Sequence, residues 1–282
     1  MKKRKIDLAV FFILPGLIGF ILFYIWPFFT SLGYAFVDRP IDGKFVGFNN
    51  FIDLFHNKPY LMGLKNTFIF IGLCVPLNMI LSLAVAIMIK KTFRHKKLFT
   101  LVFLIPLVIP SGSMVFFWKM FFDYNGYLNH LLELIGIKHI NWLETSLARF
   151  VIVLIFIWKN LGYNIILFLS GLSAIPKEYY EAAKVDGAGS VQEFLGITLI
   201  NLTPTFILVI IMSVINSFKV FKEIYLITGS YPHESIYMLQ HFMNNMFNSL
   251  DYQKLTTATC VLVFVISLLT QFLFRLEKKV SL

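Results

Sequence analysis

Long apolar stretches, rather than the alternating patterns of a water-soluble core, organise this chain. Six runs are each long enough to cross about 30 Å of hydrocarbon, a distance that takes about 20 helical residues. They cover residues 8–29, 67–89, 98–118, 148–172, 204–228 and 255–274. Lipid offers the backbone no hydrogen-bond partner, so spans of this length must be helices. The pattern predicts an all-α integral membrane protein of about six transmembrane helices. Pro15, Pro27, Pro76, Pro106 and Pro110 fall inside the runs and are compatible with kinked helices whose freed carbonyls are satisfied internally or by neighbours. Between the third and fourth runs, Leu128, Leu131, Leu132 and Ile135 follow i, i+3, i+4, i+7 spacing. That segment, opened at Asn125-Gly126 and closed at Gly136, predicts a short surface helix too brief to span.

Composition agrees: 58% of residues are hydrophobic and 14% charged, against about 25% charged in an average soluble domain. The 32 phenylalanines exceed what one globular core hides. The net charge of +10 is arranged by side, which argues for topology rather than nucleic acid. Fourteen basic residues flank one side of the spans: Lys2, Lys3, Arg4, Lys5, Lys90, Lys91, Arg94, Lys96, Lys97, Lys177, Lys184, Arg275, Lys278 and Lys279. Seven flank the other: Arg39, Lys44, Lys58, Lys65, Lys119, Lys138 and Lys254. The richer side is cytoplasmic by the positive-inside rule, which assigns both termini and the loop 173–203 to the cytoplasmic side of a cell membrane. The first apolar run exceeds the usual 7–15 residues of a signal peptide and lacks a small-x-small cleavage site, so it reads as a retained helix. Cys74 and Cys260 lie inside apolar runs and read as small buried residues.

The loop 173–203 carries the most information. Pro176 suits a first helical turn, Glu178 and Glu181 lie near the positive end of that helix, and Asp186-Gly187-Ala188-Gly189 ends it. Ser190-Val-Gln-Glu193 reads as a capping box opening a second helix. Glu178, Glu181, Lys177 and Lys184 share one face of the first helix, with Tyr179, Ala182 and Ala183 toward another. The unit is two short helices around a glycine turn, with small residues that let another protein approach closely.

Glu181-Ala182-Ala183, three residues, Gly187, nine residues and Ile197-x-Leu199 resemble the signature loop of permease subunits in binding-protein-dependent ABC importers. That family places Pro after the Ile-x-Leu; this chain has Ile200, with Pro204 four residues on. Val46-Gly-Phe-Asn-Asn-Phe51, Asn66-Thr67, Gly126-x-x-Asn129 with Trp142-Leu143, and Thr228-Gly-Ser-Tyr-Pro232 resemble the carbohydrate branch, specifically the first permease of maltose- or glycerol-3-phosphate-type pairs. The resemblance implies a type I importer permease fold, with an N-terminal helix and external loop in 1–65, a five-helix core in 66–272 and a cytoplasmic tail in 273–282. It implies that the loop is a coupling helix docked in an ATPase cleft, with Glu181, Ala182, Ala183, Asp186, Gly187 and Ala188 at the contact. It also implies partners: a second homologous permease, two ATPase subunits using ATP and Mg, an external solute-binding protein and a sugar.

A lysine facing lipid at mid-helix costs about 2.5–3.5 kcal/mol, so Lys159, Lys219 and Lys222 must face the bundle, snorkel or pair. Lys219 and Glu223 at i, i+4 offer one structural pair. Asn160, Tyr163, Asn164, Asn216 and Ser217 are polar groups on the fourth and fifth spans, suited either to sugar hydroxyls or to interhelical hydrogen bonds. By resemblance, Asn160, Tyr163, Asn216, Ser217 and Val220 match pore-lining positions of maltose-type permeases; Asn164 joins them as a substrate-path candidate. No Gly-x-x-x-x-Gly-Lys-Ser/Thr loop occurs, so any ATP is handled by another chain and no cofactor is expected here. His56, His95, His130, His139, His233 and His241 lie in predicted loops or at span margins, and no two show a metal-ligand spacing. An intramembrane hydrolase using Ser111 or Ser113 lacks the surrounding acids and histidines; a secondary transporter would have Glu223 as its single coupling acid; a scaffold or receptor has no use for the coupling loop.

Overall fold

The computed structural model describes residues 8–92 and 96–280; among them the regular elements are all helices, joined by turns and loops, with one isolated bridge from Val37 to Phe45. The first span runs through α1 (Leu8–Phe20), a π-helical turn (Ile21–Ile25) and α2 (Trp26–Tyr34). Pro27 cannot donate to the Phe23 carbonyl and its ring crowds that group; the wider turn just ahead of it relieves the clash. None of residues 11–34 is buried, and Phe23 and Trp26 are among the most exposed side chains there, as a lipid-facing helix requires. After α3 (Asn49–His56) comes α4 (Lys58–Thr92), which contains Pro76 without breaking.

The third predicted span departs from a straight helix. It consists of α5 (Lys96–Val108) and α6 (Ser111–Phe122), bent by 97° across Ile109-Pro110. Proline disfavours the helical region for the residue before it, and of the five span prolines Pro110 stands at the break, as the extended N-cap of α6. Five straight or gently bent helices reach spanning length among the described residues, and this bent pair makes a sixth. The short α7 (Tyr127–Glu133) follows where the i, i+3, i+4 pattern predicts it. Gly136, at φ +80°, closes it, with Ile137 N–H donating to Leu132 O and Gly136 N–H to Glu133 O. The remaining elements are α8 (Ala148–Ala174), α9 (Lys177–Val185), α10 (Ser190–Glu193), α11 (Leu199–Asn201), α12 (Thr203–Lys219), α13 (Phe221–Thr228), α14 (Leu239–Asn248) and α15 (Tyr252–Val280).

The chain divides into two compact units, residues 1–61 with 243–266, and residues 62–242 with 267–282. In the first, the 35–51 segment is clipped by Asn50, whose amide donates to the carbonyls of Ala35 and Val37. Phe36, Phe48 and Phe51 pack around that clip, with Gly47 in the left-handed region. The second unit has two apolar cores. One joins Phe70 and Cys74 of α4 to Trp118 of α6, Ile152 and Ile155 of α8 and Ile224 of α13. The other joins Leu83 and Ala86 of α4 to Ile165 and Phe168 of α8 and Val209 of α12.

Two further asparagines hold loops to helix ends. Asn66 donates to the carbonyls of Glu234 and Tyr237 and accepts from Arg149. Asn129, fully buried, donates to Tyr124 and Ile140 carbonyls and accepts from Ile140 N–H and Trp142 Nε1. Each amide thereby fills most of its donor and acceptor capacity. Arg149, which the charge pattern did not single out, also binds the Ser235 carbonyl.

Helices α5 and α8 approach at Gly162, where a Cβ would lie 1.8 Å from the Phe103 carbonyl oxygen. Small residues of this kind let membrane helices close up. Gly162→Ala is therefore expected to force the helices apart at a cost of about 1–3 kcal/mol. In purified protein this should appear as a fall in Tm of roughly 2–10 °C. Gly72→Ala, on an open face of α4 where a Cβ meets nothing within 4 Å, is the control and should leave Tm unchanged. Equal Tm values for the two variants would contradict the close contact.

Candidate functional site

The loop 173–203 folds as two short helices around a turn. Pro176 is the N-cap of α9, and Asp186 ends it with its N–H donating to Ala182 O. Gly187 then adopts φ +80°, Ala188 N–H donates to Ala183 O, and Gly187 N–H donates to Lys184 O. This pair of bonds is a Schellman stop, which requires one left-handed residue and so favours glycine. The following helix begins one residue earlier than the sequence pattern indicates. Its N-cap is Gly189, not Ser190, and the Gln192 side chain reaches back to accept from Gly189 N–H at 2.8 Å. Glycine has no side chain to reciprocate, so only half of the box forms. A π-helical segment (Phe194–Thr198) and α11 continue this helix, and Ile200 sits inside α11; Pro204 occupies the first turn of α12.

This unit is braced on one side and open on the other. Tyr180 Oη and Thr198 Oγ1 lie 2.9 Å apart, and Lys90 Nζ donates to the Leu172 carbonyl at the end of α8. Glu181, Ala182, Asp186 and Gly187 are exposed, with Ala183 and Ala188 half-buried. Val185 is 88% exposed and Val191 72%. Lys177, Glu178, Glu181 and Lys184 form no ion pair with any described residue. A cavity of about 390 Å³ opens between the two helices, lined by Lys90, Tyr180, Glu181, Lys184, Glu193 and Phe194 among others.

The polar residues of the fourth and fifth spans divide into two groups. Asn160, Asn216 and Val220 line a cavity of about 250 Å³ together with Lys159, Lys219 and Glu223. Asn164 is instead engaged in a buried 3.0 Å hydrogen bond to Ser213 between α8 and α12, and Ser217 donates to the Val214 carbonyl of its own helix. Tyr163 is half-buried and does not line the cavity.

Glu223 does not pair with Lys219. Its partner is Lys159, 64 residues earlier on α8, and Ser111 at the start of α6 joins both. Ser111 Oγ donates to Glu223 Oε1 at 2.9 Å, and Lys159 Nζ lies 3.3 Å from Ser111 Oγ. Lys219 has Asn216 Oδ1 at 3.3 Å instead. An i, i+4 pair is only one route to neutrality: across the α12–α13 junction at Val220, Glu223 is buried while Lys219 is exposed. No local pattern pointed to this triad; the one available signal was that a lone acid in a span requires some cation.

Two histidine assignments also change. His241 is fully buried in α14, accepting from Met238 N–H and packed on Phe221 and Tyr237; burial pushes its imidazole down to about 4. His130 and His139 meet at Glu133 despite their unpromising spacing. His95 lies outside the described residues.

Glu223 is 3% exposed and Lys159 22%, so removing either charge leaves the other stranded. Breaking such a pair costs about 3–5 kcal/mol. Glu223→Leu and Lys159→Met should each lower Tm strongly, and the double variant should recover most of the loss. Additive losses in the double variant, measured by thermal unfolding of the purified protein, would show that the two side chains do not interact.

The model of the binding-protein-dependent transport system inner membrane component matches residues 66–281. The chain is 31% identical over 274 residues to the trehalose/maltose transport system permease protein MalF of Thermococcus litoralis, covering 95% of this chain and 92% of that one. It is 30% identical over 275 residues to the sn-glycerol-3-phosphate transport system permease protein UgpA of Yersinia pestis, with 95% and 93% covered. It is 31% identical over 290 residues to the probable ABC transporter permease protein YesP of Bacillus subtilis, with 98% and 93% covered. In fold it is similar to a chain of a bacterial ABC transporter involved in import of the acidic polysaccharide alginate, at a TM-score of 0.85, 23% identity and coverage of 98% and 96%. The spans, the bent pair and the exposed two-helix loop are thus those of an integral membrane permease, and the chain belongs to the family of inner membrane components of binding-protein-dependent transport systems.

Proposed function

We propose that this chain is one of two permease subunits lining the path of an ATP-driven sugar importer, with the α9–α10 unit as the element gripped by an ATPase subunit. The observation that carries the coupling role is the exposed face of that unit. Its charged side chains form no ion pair among the described residues and its Val185 and Val191 side chains are exposed, whereas its inner side is braced through Tyr180 and Thr198. A rigid, braced element with a free outer face transmits displacement. The likeness to a trehalose/maltose permease supports a sugar as cargo, and Asn160 and Asn216 offer amide donors and acceptors beside a cavity of about 250 Å³.

In this reading the core lies in residues 66–272, the termini and the loop 173–203 face the cytoplasm, and an external binding protein delivers the sugar. Two ATPase subunits hydrolyse ATP with Mg, and their closure draws the coupling units together, switching the cavity between its two openings. This chain breaks no covalent bond; it conducts the solute and transmits motion.

One observation favours a second reading, an anionic solute such as glycerol phosphate. Lys219 and Lys222 have no carboxylate within ion-pair distance among the described residues, and the UgpA relative is named for that class of solute. A neutral cargo gains nothing from an uncompensated cation, so Lys219→Ala should spare uptake of a neutral oligosaccharide and depress that of glycerol phosphate.

Replacing Gly187 by Val places a β-branched residue at φ +80°, a conformation costing an L-residue about 1–2 kcal/mol. Gly187→Val and Glu181→Lys, expressed with the partner subunits, should abolish solute uptake while membrane abundance stays normal. Wild-type uptake by both variants would remove the coupling role.

A further inference from the structure

We propose that His130, Glu133 and His139 form a binding site for a late first-row divalent cation, best served by zinc. His130 and Glu133 are one turn apart on α7 and therefore share a face. The stop at Gly136 reverses the chain and brings His139 back beside them. His139 Nε2 lies 3.3 Å from Glu133 Oε2, and His130 Nδ1 lies 3.7 Å from the same oxygen. One ligand atom from each of the three residues falls within 4.8 Å of the other two.

These separations are close to those of a coordination sphere. Metal bonds of about 2.0–2.2 Å at tetrahedral angles put neighbouring ligand atoms about 3.3 Å apart. Two contacts are already near that length, so closing the third edge needs side-chain movement of about an ångström. The backbone under the site is fixed: buried Asn129 binds the carbonyls of Tyr124 and Ile140, Ile140 N–H and Trp142 Nε1. It thereby ties α7, which carries two of the ligands, to the residue following the third. Only the exposed tips of the side chains remain free to adjust, and they face solvent from which an ion can enter.

The donor set selects the ion. Two imidazoles and a carboxylate suit zinc with water in a fourth position, and by ligand type copper or nickel as competitors. Calcium and magnesium, which require oxygen ligands, are disfavoured. A bound ion would staple the end of α7 to the segment 137–140. The site is independent of the transport reading, since its ligands lie in a segment that carries none of the substrate-path or coupling residues.

The test uses the full chain carrying a non-histidine affinity tag, stripped with chelator and titrated with zinc chloride in competition with a chromophoric chelator. One zinc per chain is expected, with a rise in Tm on loading. His130→Ala, Glu133→Gln and His139→Ala should each weaken binding at least tenfold, since even outer-shell losses cost metal sites 10–100-fold. All three positions are exposed or half-buried, so size-exclusion profile and metal-free Tm should match the wild type. Cobalt titration of the unaltered protein gives a readout that does not depend on variants, an intense visible absorption band when the ion is tetrahedral. Absence of zinc binding, zinc affinity unchanged in the three variants, or a cobalt spectrum like that of the free aquo ion would overturn the site.

Discussion

A carboxylate and an ammonium brought together within membrane-spanning helices tie the larger unit of this chain together. Neither Glu223 nor Lys159 is tolerable alone in that environment; each makes the other possible, and Ser111 supplies a further hydrogen-bonding partner. The three residues belong to α13, α8 and α6, so the requirement for charge compensation fixes the relation of three helices at once. The bend at Ile109-Pro110 brings Ser111 to that pair. Without that turn α6 would continue the line of α5, and Ser111 would not open a separate helix with its hydroxyl beside the pair. The interaction does not have to be strongly stabilising in itself, because desolvation offsets much of the attraction. Its effect is on specificity: misregistered packings leave a bare charge in hydrocarbon.

Side-chain amides do for the loops what the ion pair does for the helices. Asn50, Asn66 and Asn129 each bridge backbone carbonyls, in two cases also accepting a side-chain or backbone N–H. An asparagine can offer two donors and two acceptor sites in one plane, which suits it to closing an irregular segment whose own carbonyls lack partners. This gives a physical reason for motifs that look arbitrary in the sequence, such as Asn66-Thr67, whose threonine hydroxyl accepts from Leu239 N–H.

What could be read from the chain alone followed from local rules. The brief helix at α7 and both glycine stops, Gly136 and Gly187, depend on neighbours within a turn or two, and each is where the pattern puts it. The shift of the α10 cap from Ser190 to Gly189 is a one-residue difference between two workable starts. The misassigned partner of Glu223 is of another kind. An i, i+4 lysine is visible in sequence, whereas Lys159 becomes a neighbour only after α8 and α13 pack. The His130–Glu133–His139 cluster escaped for the same reason, since its third member arrives through a chain reversal. Among the substrate-path residues, sequence could not separate Asn160 and Asn216, which line a cavity, from Asn164, which joins two helices; all three are amides in polar-marked spans, and only packing distinguishes them.

The account rests on the α9–α10 unit being an interface with an ATPase rather than a solvated connector. Cysteine cross-linking reads that contact directly. With Ala182→Cys placed on the exposed face of α9 and the transporter purified with its partners, a short thiol-reactive homobifunctional reagent should join this chain to a cysteine introduced in the facing cleft of the ATPase subunit. The yield should change when ATP is added, and Phe264→Cys, exposed on the apolar face of α15, should give no product. A cross-link at Ala182 that follows the nucleotide state is the predicted result; no product with any ATPase cleft position, in either nucleotide state, would contradict the account.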